Sequence, residues 1–316
     1  MPATTALEAP AINRYPADLP MTPLVPVRVS VGAPRVWCKL EFLNPSGSTK
    51  DRIARYILGD AFRKGLVRPG GTVIEASSGS TSIAMALVCA QLGLRFIAVL
   101  PEGVSSERVL MIRAYGGSIH FGAREAGVSG CIRESERLAA ECGAFLPRQF
   151  ANPLNAEAHE VGTAREILEQ MAGNAVDAVV SGVGTGGTLV GLIRGCATPG
   201  KTPRAYLARP VNLGTPRDQE CCSFSCRIPG VMECASELFR EADYPALRTV
   251  EVPDQEAIET TRALIRLGFP VGPSSGLNYR AAEIAAQTGE AGNIVTVFPD
   301  RMERYFTTDL FQPFRS

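Results

Sequence analysis

The run Val73-Ile74-Glu75-Ala76-Ser77-Ser78-Gly79-Ser80-Thr81-Ser82-Ile83, continued to Pro101, decides the fold class. Val73–Glu75 reads as a short buried strand and Ile83–Leu92 as an apolar helix. Gly93 stops that helix, and Phe96–Leu100 reads as a second strand ending at Pro101. A strand, a crossover helix and another strand make a βαβ unit, which belongs to a parallel sheet with helices on its faces. Gln91, Gly93 and Arg95 interrupt the most hydrophobic stretch, Ile83–Leu100, so it does not read as a bilayer span.

The same alternation continues on both sides. Val36–Leu40 reads as a strand. Asp51–Lys64 reads as a helix with Ile53, Tyr56, Ile57 and Ala61 on one face and Gly65 as its stop. After Pro101 come helix Ser106–Ala114, strand Ile119–Phe121, helices Ile132–Glu141 and Ala156–Met171, and strands Ala178–Val180 and Ala205–Ala208. Helices Asp254–Leu267 and Gly276–Gln287 and strand Ile294–Phe298 close the chain. The expected fold is α/β, with parallel-rich sheets flanked by helices. Val211–Arg227 lacks periodicity and reads as a loop or insertion. Residues 1 to about 20 read as an extended arm suited to packing on a partner subunit.

Composition narrows the function classes. The chain has 316 residues, 45% hydrophobic and 20% charged, enough for two ordinary domains. Its 32 basic and 32 acidic residues cancel, so no global field recruits nucleic acid or an anionic membrane. Met1–Pro20 is polar with four prolines and does not read as a secretory segment, and the nine cysteines are an odd number. A reducing, cytoplasmic location is the expectation. Cys221, Cys222, Cys226 and Cys234 lack the paired spacing of a zinc site, and His120 and His159 lack metal spacing; no metal is expected.

Ligands of such sheets bind beyond the carboxyl ends of strands, and four loops there are rich in Gly, Ser and Thr. Asn44-Pro45-Ser46-Gly47-Ser48-Thr49-Lys50-Asp51-Arg52 delivers Lys50 at the first turn of a helix. The positive end of the macrodipole lowers its pKa, as a Schiff-base lysine requires; read alone, the segment favours a solvated lysine at a helix start. Ser77–Ser82 carries five hydroxyls, more than one N-cap needs, and offers a carboxylate or phosphate site. Ser181-Gly182-Val183-Gly184-Thr185-Gly186-Gly187-Thr188 is a phosphate cradle. It satisfies G-x-G-x-x-G, but no ribose-binding acid follows; Arg209 stands in that region. Val271-Gly272-Pro273-Ser274-Ser275-Gly276 alone is a turn and cap. Arg262 and Arg266 read as a solvated face and Trp37 as core.

Taken in order, these loops, with Gln149-Phe150-Ala151-Asn152-Pro153 and Pro299-Asp300-x-x-Glu303-Arg304-Tyr305, resemble the cysteine synthase and cystathionine β-synthase family of pyridoxal-phosphate enzymes. The resemblance runs from Thr22 to Phe311. It implies the tryptophan-synthase-β-like fold, with a smaller mobile domain at 45–150 and a larger one made of 1–44 and 151–316. It further implies that Lys50 holds pyridoxal 5'-phosphate and removes the substrate α-proton. Gly184, Thr185, Gly186, Gly187 and Thr188 would bind the phosphate, and Ser274 the pyridine nitrogen, which a neutral serine leaves unprotonated. Ser80, Pro299 and Asp300 would lie by the ring; Ser77, Ser78, Gly79, Thr81 and Gln149 would take the substrate carboxylate.

The implied activity is β-replacement on O-acetyl- or O-phosphoserine through an aminoacrylate, with sulfide giving L-cysteine, by a cytoplasmic homodimer. The departures are Ser80 and Ser82 in place of the usual Asn and Gly, and Arg209-Pro210 in place of a Glu-Pro pair. They leave open synthesis of 2,3-diaminopropionate or cystathionine, or net elimination from cysteine. Outside the family stand a nicotinamide oxidoreductase using Gly182–Gly187 with Arg209, and a non-catalytic scaffold.

Overall fold

The computed structural model describes residues 19–212, 227–229, 231, 236–289 and 291–315. Most of the 211–227 stretch, Cys221, Cys222, Cys226, Cys234 and nearly all of the N-terminal arm lie outside the described residues.

Two sheets organise the chain. The larger has the order β1-β2-β9-β6-β7-β8, where the strands are β1 (Leu24–Val27), β2 (Val36–Lys39), β6 (Ala178–Ser181), β7 (Arg204–Val211), β8 (Arg248–Pro253) and β9 (Ile294–Val297). Only β1 runs antiparallel to its neighbour; the other pairs are parallel. The smaller sheet, β3 (Thr72–Ala76), β4 (Arg95–Pro101) and β5 (Ser118–Gly122), is parallel throughout. The helices are α1 (Lys50–Arg63), α2 (Ser80–Leu92), α3 (Ser106–Ala114), α4 (Gly127–Cys142), α5 (Leu154–Ala158), α6 (Arg165–Gln170), α7 (Gly187–Gly195), α8 (Asp254–Arg266) and α9 (Pro273–Gln287). Among the described residues no helix is long and apolar enough to cross a membrane.

The central strands β6 and β9 are buried at every position, as strands covered on both faces must be. Side chains then alternate between two cores. Val180, Tyr206, Ala208, Ile294 and Leu277 pack on one face; Val179, Leu207, Val295, Leu189 and Leu192 pack on the other. The small sheet does the same, with Val73, Ala98 and Leu100 against α1 and α2, and Ile74, Ala76 and Val99 against α4. Each fully buried aliphatic side chain contributes about 1.5–3 kcal/mol.

Four features differ from the sequence expectation. The edge strands β1 and β8 are short and half exposed, so they carry no apolar run to read. The single helix expected at Ala156–Met171 is instead α5 and α6 joined by a six-residue π turn, His159–Ala164. It packs so close to α7 that a Cβ on Gly191 would sit 2.6 Å from the Ala156 carbonyl, and one on Gly195 2.6 Å from that of Glu160. Helix α9 starts at Pro273, three residues before the expected Gly276, because proline with its fixed φ suits the first turn. Arg262 is not on a solvated face: it donates to the carbonyls of Leu310 (3.0 Å) and Asp309 (2.8 Å).

A buried ion network fixes the start of α1. Arg52 grips Glu41 with two hydrogen bonds of 2.6 Å and reaches Glu166 at 2.6 and 2.8 Å; Lys39 meets Glu166 at 2.7 Å. Burial pushes the Glu41 carboxyl up, but the charge and hydrogen bonds of Arg52 outweigh it and hold the pKa at about 2. Lys50 is two residues from this anchor.

Candidate active site

One cavity gathers the ends of both sheets. Lys50, Ser80, Thr185, Ser274, Asp300 and Arg108 are among the residues lining it.

Lys50 is the first residue of α1. The chain has four lysines, Lys39, Lys50, Lys64 and Lys201. Lys39, Lys64 and Lys201 are paired with Glu166, Asp60 and Asp177, while Lys50 alone faces the cavity. Burial drives its pKa down; Asp300 and Glu41 pull it up, and Arg304 opposes them. The net direction is downward, toward the neutral amine that attacks carbonyls. The loop before Lys50 is fixed to the strand end of β9: the Thr49 N–H donates to the Pro299 carbonyl at 2.8 Å, and the Arg301 N–H to that of Gly47 at 3.1 Å.

The glycine loop lies between β6 and α7. Gly186 has φ +85° and a Cβ there would meet Phe239 at 2.3 Å; a Cβ on Gly187 would meet Asn155 Oδ1 at 1.9 Å. Only glycine permits this approach, and it leaves backbone N–H groups at a helix N-terminus. Gly184, Thr185, Gly186 and Thr188 line the cavity. Asn155 donates to Thr185 Oγ1 (3.0 Å), and Thr188 Oγ1 lies 3.2 Å from Nε2 of the buried His159. Burial and the neighbouring Lys50 push His159 down to about 3, so the ring is neutral.

The hydroxyl loop joins β3 to α2. Ser78, Ser80 and Thr81 line the cavity. Ser77 does not share their orientation: it is buried, its Oγ 2.7 Å from Ser82 Oγ and accepting the Gly79 N–H at 2.9 Å. In this arrangement Ser77 braces the loop from beneath, beside the Ser78, Ser80 and Thr81 that line the cavity. Gly79 takes φ +135° directly against Arg108, whose Cδ would be 2.3 Å from a Cβ. Thr81 donates to Gln149 Oε1 at 2.6 Å, and Gln149 Nε2 to the Ala76 carbonyl at 2.6 Å. Beneath them Glu75 accepts the Gln149 N–H at 3.1 Å; burial raises its pKa to about 8.

Ser274 stands on the first turn of α9 and faces the cavity. One turn on, Asn278 accepts the Gly182 N–H at 2.7 Å and donates to the Val297 carbonyl at 2.9 Å, tying α9 to β6 and β9. Its spacing of four from Ser274 places it on the same face and was a readable signal. Arg108, which no motif marked, and Tyr305, quoted in its motif without a role, also line the cavity. Arg108 sits 5.0 Å from the Tyr305 ring centroid, a pairing between distant segments that no local pattern announces. Arg209 pairs with Glu241 and is not part of the cavity wall, which removes the cation required by the nicotinamide alternative.

The residues fit pyridoxal phosphate. A glycine cradle at a helix N-terminus suits the phosphate, a buried amine of lowered pKa suits the aldehyde, and a neutral hydroxyl on α9 suits a ring nitrogen.

Comparison with known proteins agrees. A family model described as pyridoxal-phosphate dependent enzyme matches residues 17–300. A cysteine synthase of Staphylococcus aureus is 35% identical over 302 residues, 92% of this chain and 94% of that one. The crystal structure of O-ureido-L-serine synthase superposes with a TM-score of 0.81 at 33% identity, covering 92% of each chain. That of an O-acetylserine-dependent cystathionine β-synthase from Helicobacter pylori gives 0.81 at 32%, over 92% of this chain and 95% of that one. The chain belongs to the cysteine synthase and cystathionine β-synthase family of pyridoxal-phosphate-dependent enzymes.

Proposed function

We propose that this enzyme replaces a leaving group on Cβ of an L-serine derivative, O-acetyl- or O-phosphoserine, with sulfide to give L-cysteine. The observation that carries the reading is the placement of Lys50 in one cavity with a glycine cradle and a hydroxyl loop. Bound pyridoxal phosphate supplies an electron sink for the carbanion formed at Cα. The cradle Gly184–Thr188 holds its phosphate, with Gly187 allowing the close approach of Asn155. Ser274 would hold the ring nitrogen as a neutral hydroxyl and so leave it unprotonated. Ser78, Gly79 and Thr81 offer donors to the substrate carboxylate, the Gly79 N–H exchanging from Ser77 Oγ and the Thr81 hydroxyl from Gln149 Oε1 as it binds. Lys50 Nζ, whose pKa is driven down by desolvation, takes the α-proton and returns it after the nucleophile has added at Cβ.

The region 45–150 acts in this reading as the mobile domain. Carboxylate binding draws the hydroxyl loop inward and excludes water from the reacting carbon. The related enzymes bear names that differ in nucleophile, so the donor half of the reaction is the shared part. The working form in this reading is a cytoplasmic homodimer, and light scattering at twice the chain mass tests the dimer.

Visible spectra recorded with O-acetylserine, O-phosphoserine, serine and cysteine in turn, followed by sulfide and product analysis, test the function. One ester is expected to shift the spectrum and sulfide to restore it with release of cysteine. Pyruvate and ammonia as main products in the presence of sulfide would contradict replacement, and an unchanged spectrum with every donor would contradict the donor class.

A further inference from the structure

Asp300 is brought to Lys50 by the backbone. Ser48 and Asp300 form an antiparallel bridge, flanked by the Thr49–Pro299 and Arg301–Gly47 hydrogen bonds, so the carboxylate lies across from the residue two before the lysine. Its Oδ2 accepts from Tyr305 at 2.7 Å and from Ser80 at 3.3 Å. Among the described residues its Oδ1 is buried with no hydrogen-bond partner, and both Asp300 and Lys50 line the cavity. A buried carboxylate with an unused oxygen is stable only beside positive charge.

We propose that Asp300 is the counter-ion of Lys50, a positioning residue that keeps the α-proton on the lysine amine between its removal and its return. The proton passes from Cα to Nζ, and the leaving group departs from Cβ with its bonding pair. Hydrosulfide adds at Cβ with its own pair, and Nζ gives the proton back to Cα. Because Ser80 sits on the hydroxyl loop, movement of that loop changes the donors on Asp300 and thereby the basicity of Lys50. The other charged or titratable groups facing Lys50 are Glu41, Arg304 and neutral His159, with Arg108 and Tyr305 across the cavity. Of the two carboxylates, Glu41 and Asp300, only Asp300 lines the cavity.

The role of the proton rests on the β-replacement reading; the Asp300–Lys50 pairing is tested without turnover. The four lysines are labelled competitively with trace acetic anhydride across pH in the full chain freed of cofactor, and Lys50 is followed by peptide mass spectrometry. In Asp300→Asn the Lys50 midpoint is expected about one pH unit lower, with Lys64 and Lys201 as internal references. An unmoved midpoint would overturn the pairing even if the enzyme makes cysteine. Tyr305→Phe, which keeps the charge but removes a donor, covers the case of a misfolded Asn variant: its midpoint is expected to rise, and a fall or no change would count against the proposal. In the holoenzyme, Asp300→Asn is expected to move the acid limb of kcat to lower pH while the donor KM is kept. A uniform loss of kcat at all pH values would mark a merely structural role.

Discussion

The two loops that face each other across the cavity are built on opposite plans. The loop of the large sheet, 184–188, is mostly glycine, and its neighbours Asn155 and Phe239 press where Cβ atoms would be. The loop of the small sheet, 77–82, is mostly hydroxyl, and its bonds run within itself and to Gln149 and Asp300. A permanent phosphate is best held by backbone N–H groups that cost nothing to reorganise. A transient carboxylate is better met by side-chain donors that can exchange partners during each turnover. On the proposed reading the difference would separate cofactor retention from substrate affinity, and substitutions in the two loops should split along that line.

The largest effect belongs to the residue between them. Lys50→Ala should lower turnover by more than about 10³-fold with the circular dichroism spectrum intact; substantial residual activity would break the account of both loops together. Gly187→Ala comes next. Its methyl group would strike Asn155, whose amide is fixed by the Gln149 carbonyl and Thr185. Overpacking of this kind costs about 1–3 kcal/mol, and the expected readouts are a lower Tm and faster loss of cofactor on dialysis. Gly79→Ala meets instead the side chain of Arg108 at a strained φ; it should raise the donor KM while cofactor binding is kept. Equal effects of the two alanines on cofactor affinity would erase the contrast.

Thr81→Val leaves Gln149 Oε1 buried without its donor, a loss of about 1–3 kcal/mol. A donor KM roughly tenfold higher with unchanged cofactor affinity is expected from steady-state kinetics and a cofactor titration. The smallest effect is in stability. His159 is held neutral with a pKa of about 3, whereas an unfolded histidine titrates near 6.5. The unfolded chain therefore binds an extra proton between these values, and stability falls as pH drops through that window. His159→Gln should flatten this part of the Tm-against-pH curve of the cofactor-free chain; an unchanged slope would remove the neutral ring from beneath the glycine loop.

Much of this was legible because each loop demands residue types that few other structures need. Successive glycines at a strand end, five hydroxyls before an apolar helix and a lysine at a helix start each carry a local physical reason. The buried central strands were equally readable from their apolar runs. What escaped depends on contacts between distant segments. Ser77 looks like its neighbours in sequence, yet it turns inward because a loop with φ +135° at Gly79 needs an acceptor beneath it. Arg108 and Tyr305 meet only when α3 and the chain after β9 are brought together. The π turn at His159–Ala164 reflects the glycine face of α7, information held in another helix. Edge strands β1 and β8 are too exposed to show a pattern.

The most direct test of the central claim is borohydride reduction of the coloured holoenzyme followed by peptide mapping. With four lysines in the chain, the assignment is unambiguous. The account predicts the pyridoxyl mass on Lys50 alone; its appearance on Lys39, Lys64 or Lys201, or on no lysine, would contradict it.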